Sequence, residues 1–241
     1  MTNQFSKRWR SVREALRWRG LLFSSLLATR EMLRPVMYWH AWHIFQTDLQ
    51  RMPTPYAKEK VEVKVFCNKE NRGSVEAEIS LMGGIPFAEV NSRFDRGDTA
   101  AVAYVRGEPA GFMWLTFTDG AELAFGISWM VHADEALRYG SFVVHKWRGL
   151  GIHSAVNRAL NEYARDRGLA RTLASISAVN PQSLNLAKHA RNPPLMTVIL
   201  VHIRGVNWTY IKTIGAPFSS RFARSATKYT PSKPYSISDE M

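Results

Sequence analysis

The chain has a single cysteine, Cys67, in 241 residues, so it can form no internal disulfide and offers no thiolate set for a zinc site. Long apolar runs are missing as well, since no stretch approaches the roughly 18 apolar residues of a membrane-spanning helix. Acid is scarce: 20 Asp and Glu stand against 32 Lys and Arg, a formal charge of +12. Glycine and proline are at ordinary levels, which excludes collagen, and an apolar content of 46% excludes a disordered chain. What remains is a globular protein of a reducing compartment, one domain or one domain with an appendage, whose basic balance points to an anionic partner. Nucleic acid, a membrane surface, an acidic carrier protein and a phosphorylated cofactor all satisfy that balance.

The excess of base is uneven. Residues 1–34 carry a net +6, half of the total, in one seventh of the chain. Phe5, Trp9, Val12 and Leu16 recur at helical spacing with arginines on the other faces, the pattern of a basic amphipathic helix. The apolar run Leu21 to Ala28 is broken by two serines and lacks a clear cleavage site, which disfavours a signal peptide. An aromatic stretch, Tyr38 to Phe45, follows before Pro53 and Pro55. His40 and His43 could share a helix face there, but no third ligand type lies nearby, so aromatic packing is preferred to a metal site. A basic, aromatic-rich helical extension over residues 1–57 is expected.

From Lys58 the pattern changes to alternation, with Val61, Val63 and Val65 on one face of a strand. Helices are expected over 74–82 and 86–94. A hairpin follows, 99–105 and 110–118, turned by Arg106-Gly107-Glu108-Pro109. Another strand is read over 123–131. A strand over 139–144 leads through Arg148-Gly149-Leu150-Gly151 into a helix to Arg167, whose buried face is Ile152, Ala155, Val156, Ala159, Leu160 and Tyr163. A strand over 169–179, a short helix from Asn180-Pro181 to His189 and a closing hairpin over 195–214 complete a domain at 58–215. A mobile basic tail is expected at 216–241.

The chemistry is concentrated at strand, Arg148-Gly149-Leu150-Gly151-Ile152-His153-Ser154, then helix. Glycines at a helix start let backbone N–H groups face outward, and the positive end of the helix dipole adds to them, so the natural guest is a phosphate. A P-loop is excluded because no Gly-Lys-Ser/Thr follows at the required spacing. The dinucleotide fingerprint is half present, but its third glycine is Ser154 and the next strand offers no terminal acid for a ribose.

Residues 58–210 resemble the GNAT superfamily of acyl-CoA-dependent N-acyltransferases. The family pattern of Arg/Gln, two residues, Gly, one residue, Gly/Ala runs from Arg148 through Gly149-Leu150, Gly151 and Ile152, with His153 departing at the last place. Phe142-Val143-Val144-His145 looks like the family's central strand, and Asn180-Pro181-Gln182-Ser183 like the start of its second cofactor-binding helix. The resemblance implies a mixed, mostly antiparallel α/β (α+β) sheet flanked by helices. It implies that backbone N–H groups from Leu150 to Ser154 hold the CoA pyrophosphate with Arg148, and that pantetheine lies beside Phe142, Val143 and Val144, with Asn180 and Ser183 on the adjoining helix.

An amine attacking a thioester must first lose a proton, and Glu135, Tyr139 and His145 are the candidate bases. Where relatives place a tyrosine to protonate the departing thiolate, this chain has Ala187, and Lys188, His189, Tyr210 or an unaided thiolate are the alternatives. The family's Gly-Phe after that helix is also missing near Arg191-Asn192. His153 either touches the cofactor or faces solvent in the helix's first turn.

The expected activity is transfer of an acyl group, acetyl by preference, from CoA to a primary amine of a small molecule such as an amino sugar or amino acid, in the cytoplasm and without metal. Two alternatives stand. One is longer-chain transfer, with the extension docking an acyl carrier protein or the inner face of an anionic membrane. The other is a degenerate, non-catalytic binding domain. No motif for specific nucleic-acid recognition accompanies the charge.

Overall fold

The structure is a computed structural model that describes residues 36–51, 61–67, 73–118, 122–124, 127–189, 193–203, 206, 208–215 and 222–224, with Ser25, Ala28, Thr29, Met32 and Leu33 upstream. The amphipathic pattern Phe5 to Leu16 and most of the tail lie outside the described residues. The strands are β1 (Met37–Asp48), β2 (Glu62–Phe66), β3 (Thr99–Val105), β4 (Glu108–Thr116), β5 (Glu122–Ala124), β6 (Ile127–Trp129), β7 (Glu135–Val143), β8 (Arg171–Ser177), β9 (Pro194–Ile203), β10 (Trp208–Ile214) and β11 (Phe222–Arg224). The helices are α1 (Val75–Gly83), α2 (Phe87–Asp95), α3 (Ile152–Asp166) and α4 (Pro181–His189).

Eight strands form one sheet in the order β10-β9-β1-β8-β7-β4-β3-β2, antiparallel throughout except between β7 and β8. This is the mixed, mostly antiparallel sheet with flanking helices that the motif order implies. The β3–β4 hairpin turns at Arg106 and Gly107, both with positive φ, as a two-residue turn of matching twist requires. The region after Thr118 holds two short strands in place of the one expected, and β5, β6 and β11 make a second, small sheet.

Small side chains on β3 decide how closely the helices approach. Ala101 and Ala103 lie beneath α3, whose Ile152, Val156, Leu160 and Ala164 are fully buried against them with Met113 and Leu115 of β4. Each of the larger three contributes about 1.5–3 kcal/mol relative to exposure. On the opposite face Val75, Ile79, Val90 and Phe94 of α1 and α2 pack on Ala100, Val102, Phe112 and Trp114. That face continues to Ile44, Leu137, Leu173, Val198 and Leu200, where Trp129 of the small sheet adds cover.

Two sequence expectations change. The aromatic stretch is no helix: Met37–Asp48 is the longest strand of the sheet, hydrogen-bonded on one side to β8 and on the other to β9. A central strand packed on both faces reads as an unbroken apolar run, which helix periodicity cannot distinguish from a buried helix. The extension expected over 1–57 therefore includes a central strand of the domain it was meant to precede. The tail is not wholly mobile either, because Phe222–Arg224 pairs with β6. Among the described residues no helix is long and apolar enough to cross a membrane.

Because β1 bridges β8 to the C-terminal hairpin, a chain beginning at Thr54 should show no cooperative thermal transition by far-UV circular dichroism. A retained cooperative transition would mean that the sheet closes without β1.

Candidate active site

The site begins where two strands part. β7 and β8 pair in parallel at Glu135–Arg171, Ala136–Thr172, Leu137–Leu173 and Arg138–Ala174, and no further. Both strands nonetheless continue. β7 runs on to Val143 against β4, and β8 to Ser177 against β1. The sheet therefore opens between them into a V whose closed end lies at residues 135–138.

Partway up its β7 wall the pairing with β4 slips. Trp114 faces Tyr139 and Phe112 faces Phe142, so Gly140 and Ser141 together stand opposite Met113, a β-bulge. Gly140 has φ of +54°, and a Cβ there would lie 2.8 Å from Nη1 of Arg93. Glycine is thus required on two grounds, backbone conformation and space. A bulge leaves main-chain groups out of the ladder, here on the strand that lines the opening.

Above the mouth of the V, a 3-10 turn at His145–Trp147 and an extended Arg148 bring the chain to Gly149 and Gly151, both with φ of +83°. Gly151 caps α3 through its carbonyl, which accepts from Ala155 N–H, and no side chain caps the helix. The first-turn N–H groups of Ile152, His153 and Ser154 thus have no intrahelical acceptor, and no acidic residue stands in that turn. A Cβ on Gly149 would meet nothing within 4 Å, so the loop surface is open. Arg148 donates from Nε to the Val143 carbonyl at 3.3 Å, tying the loop to the end of β7. Free N–H groups, a positive dipole end and open space fit an oxyanion such as a pyrophosphate.

The expected cofactor residues are distributed around this opening. Phe142 packs toward α1 and α2, Val143 toward α3, and Val144 leaves the strand with its N–H bonded to the Ala110 carbonyl. Leu150 packs on the α3 core, and Ile152 is buried beneath the helix. Asn180 caps α4, its Oδ1 accepting from the Ser183 N–H at 3.1 Å, so this pair has a structural duty at the start of that helix. His153 turns inward toward Arg138. Burial, and after it the charge of Arg138, lowers its pKa to about 4, so it is neutral at pH 7.

The expected bases are placed differently. Glu135 is 1% exposed at the closed end of the V, where it accepts from His132 N–H at 3.1 Å and lies 3.4 Å from Arg171 Nε. Five residues of strand, about 16 Å, separate it from the bulge. Its surroundings fit an anchor for the parallel β7–β8 pairing and do not suit proton transfer at the bulge. Tyr139 donates its hydroxyl to buried Asp98 at 2.5 Å and accepts from Arg96 at 3.2 Å, while Arg93 covers its ring. Burial and Asp98 raise its pKa, and the hydroxyl is committed to holding β7 against the end of α2. His145 is exposed on the loop beyond the strand. Tyr210 is 45% exposed on β10, three strands from β8, about 14 Å across the sheet.

Two groups that sequence reasoning passed over lie at the V instead. Ser177, on the stretch of β8 beyond its pairing with β7, is 2.8 Å from Nε2 of His40, which β1 carries on the same face of the sheet. Arg138, the last β7 residue paired to β8, lies beneath α3. The signals were a histidine inside an aromatic run and an arginine inside an apolar strand.

The depressed pKa of His153 has a thermodynamic consequence. Above about 6.5 the residue is neutral in both folded and unfolded chains. As pH falls from about 6.5 to about 4 only the unfolded chain takes the proton, so stability is lost across that window. His153→Gln should remove this component. The difference in denaturation free energy between wild type and variant should move against wild type as pH falls from 7 to 4.5, and a constant difference would show that the ring is not buried.

The family model described as "Acetyltransferase (GNAT) family" matches residues 53–190. Among solved structures, a GCN5-related N-acetyltransferase from Sphaerobacter thermophilus shares 17% identity, with a TM-score of 0.50, over 74% of this chain and 56% of its own. A GNAT-family acetyltransferase from Colwellia psychrerythraea shares 15%, with a TM-score of 0.49, over 76% and 61%. An aminoglycoside N-acetyltransferase in complex with CoA shares 13%, with a TM-score of 0.42, over 53% and 88%. This chain thus spans about three fifths of the length of the first two. No curated protein matches it. The family match covers more than half of the sequence and includes the parted strands and the glycine loop above them: the chain belongs to the acetyltransferase (GNAT) family.

Proposed function

We propose that the protein transfers an acyl group from acyl-CoA to a primary amine of a small molecule, an amino acid or amino sugar being the natural class. The observation that carries this reading is the V between β7 and β8 opening directly below an uncapped helix N-terminus. The cofactor supplies an activated thioester and a pyrophosphate. The N–H groups of Leu150 to Ser154 hold the pyrophosphate, with Arg148 adding positive charge at the loop. The β7 wall orients the chain that descends into the opening, and the main-chain N–H groups freed at Gly140 and Ser141 are the donors for the thioester carbonyl.

The acceptor side is the face away from α3, with Ser177 on one lip and Phe142 on the other. An ammonium is no nucleophile, so a proton must leave the amine before attack. Ser177 Oγ accepts from Val179 N–H at 3.3 Å, which leaves its own proton for Nε2 of His40. The pair can then take the amine's proton at the Ser177 oxygen as Ser177 passes its own to His40. His40→Gln and Ser177→Ala should each lower kcat by roughly 10²-fold and abolish the acidic limb of the pH–rate profile, with CoA affinity unchanged. An unchanged profile in both variants would remove the pair from the mechanism.

The cofactor assignment is tested by reversing the loop's electrostatics without straining it. Gly149 and Gly151 are poor targets, because φ of +83° penalises any side chain. Ser154→Glu instead places a carboxylate in the first turn of α3, where the dipole favours it. The variant should melt at or above the wild-type temperature and lose stabilisation by CoA. Full retention of that stabilisation would place the pyrophosphate elsewhere.

A further inference from the structure

Among the described residues the eight-stranded sheet ends at β10 on one side and at β2 on the other. An end strand of an antiparallel ladder bonds its neighbour through every second residue, and the N–H and C=O groups of the alternate residues point outward. Such an edge is a template for another strand, and folds guard it with charge, proline or shortness. β2 is guarded. It has five residues, and Glu62 and Lys64 keep 63% and 55% of their side chains in solvent. β10 runs for seven residues, Trp208–Ile214, with Lys212 as its one charge, and leaves Tyr210 45% and Ile214 53% exposed.

Alternation along β10 sorts its residues by face. Ile211 packs on the cluster of Ile44, Val198 and Leu200. Tyr210, Lys212 and Ile214 therefore turn to the other face of the sheet, and all three are exposed there. A partner for this edge must supply a strand that fits that row, and β10 fits itself. When two copies extend one sheet across a twofold axis normal to it, every residue keeps its face, so one residue must stand opposite its own copy. Each copy carries +12, and like charges set directly opposite one another are a cost the interface has to avoid. An axis at Lys212 sets them so. An axis at Tyr210 leaves Thr213 and Ile214 past the end of the second strand, and axes nearer either end pair fewer residues still. An axis at Ile211 uses all seven residues: Ile211 faces its own copy, Tyr210 faces Lys212, Thr209 faces Thr213 and Trp208 faces Ile214. Each Lys212 then meets a tyrosine ring of the other copy. The same construction fails at β2, where the one register that uses all five residues sets Lys64 against its own copy.

We infer that the protein is a homodimer through β10, the two eight-stranded sheets joining antiparallel about Ile211 into one continuous sheet. The openings between β7 and β8 stay clear in such a dimer, because β10 lies three strands from β8. The inference stands apart from the acyl-CoA reading and does not need it.

Sedimentation equilibrium of the full chain over roughly 1–100 μM measures the association, a range suited to an interface built on one strand. Wild type should be a reversible dimer. Tyr210→Lys sets two pairs of like charges beside the axis and should weaken the dimer roughly tenfold or more, while melting as wild type does. Tyr210→Glu sets two pairs of opposite charges there and should tighten it. Exchanging the two charges, Tyr210→Lys with Lys212→Glu, should restore the affinity lost in Tyr210→Lys alone. A wild-type monomer at the top of the range would overturn the assignment without recourse to any variant. A dimer indifferent to these substitutions would place the second copy on another surface and overturn it equally. So would a dimer that Tyr210→Glu weakens, a result that decides the register even if Tyr210→Lys fails to fold.

Discussion

The whole candidate site depends on the parallel pairing of β7 with β8 stopping after four residues. Parallel neighbours ordinarily remain in register for as long as both are strands, since an unpaired stretch leaves main-chain groups without partners. Here each strand is secured from its outer side, β7 by β4 and β8 by β1, so the two can part without either unravelling. The closed end is locked by charge, with Glu135 and Asp134 on Arg171. The open end is set by the bulge at Gly140 and by the α3 loop, tied back to Val143 through Arg148. Strand separation, bulge and uncapped helix are one construction, and none would be useful without the others.

The two faces of the opening divide the labour. The α3 face carries positive potential, from the helix N-terminus to Arg138 at the floor. The opposite face carries a compact polar group, His40 with Ser177, among tryptophan and aliphatic packing. Net charge is therefore a poor guide to this molecule. Of a surplus of twelve, few charges stand near the opening, and one of them, Arg138, is almost out of contact with water.

Much of the fold was legible because its signals are local. The helix Ile152–Asp166 announced itself through apolar spacing and a glycine start, the hairpin through Arg106-Gly107, and α4 through its Asn180 cap. The glycine loop before α3 was legible for the same reason, since the conformation of Gly149 and Gly151 is a property of a few adjacent residues. What was not legible is what long-range pairing creates. Met37–Asp48 carries no mark of being central to the sheet, because centrality comes from partners more than a hundred residues away. Ser177 becomes a candidate only once β1 brings His40 beside it. Glu135 had the right chemistry at the right place in the sequence, but strand direction put it at the wrong end of the V.

The position of β1 bears on how the chain comes to be folded. Among the described strands it is the first to leave the ribosome, and its first partner, β8, does not exist until some 120 residues later; at ordinary rates of synthesis that wait is on the order of ten seconds. Through that interval a twelve-residue segment rich in aromatic and branched side chains has both edges open, the arrangement that recruits strands from other molecules. Non-local pairing of this kind also slows closure of the sheet after release. Yield of soluble protein is thus governed by how long β1 can be kept from wrong partners, a kinetic burden that follows from threading an early strand into the middle of a late-built sheet.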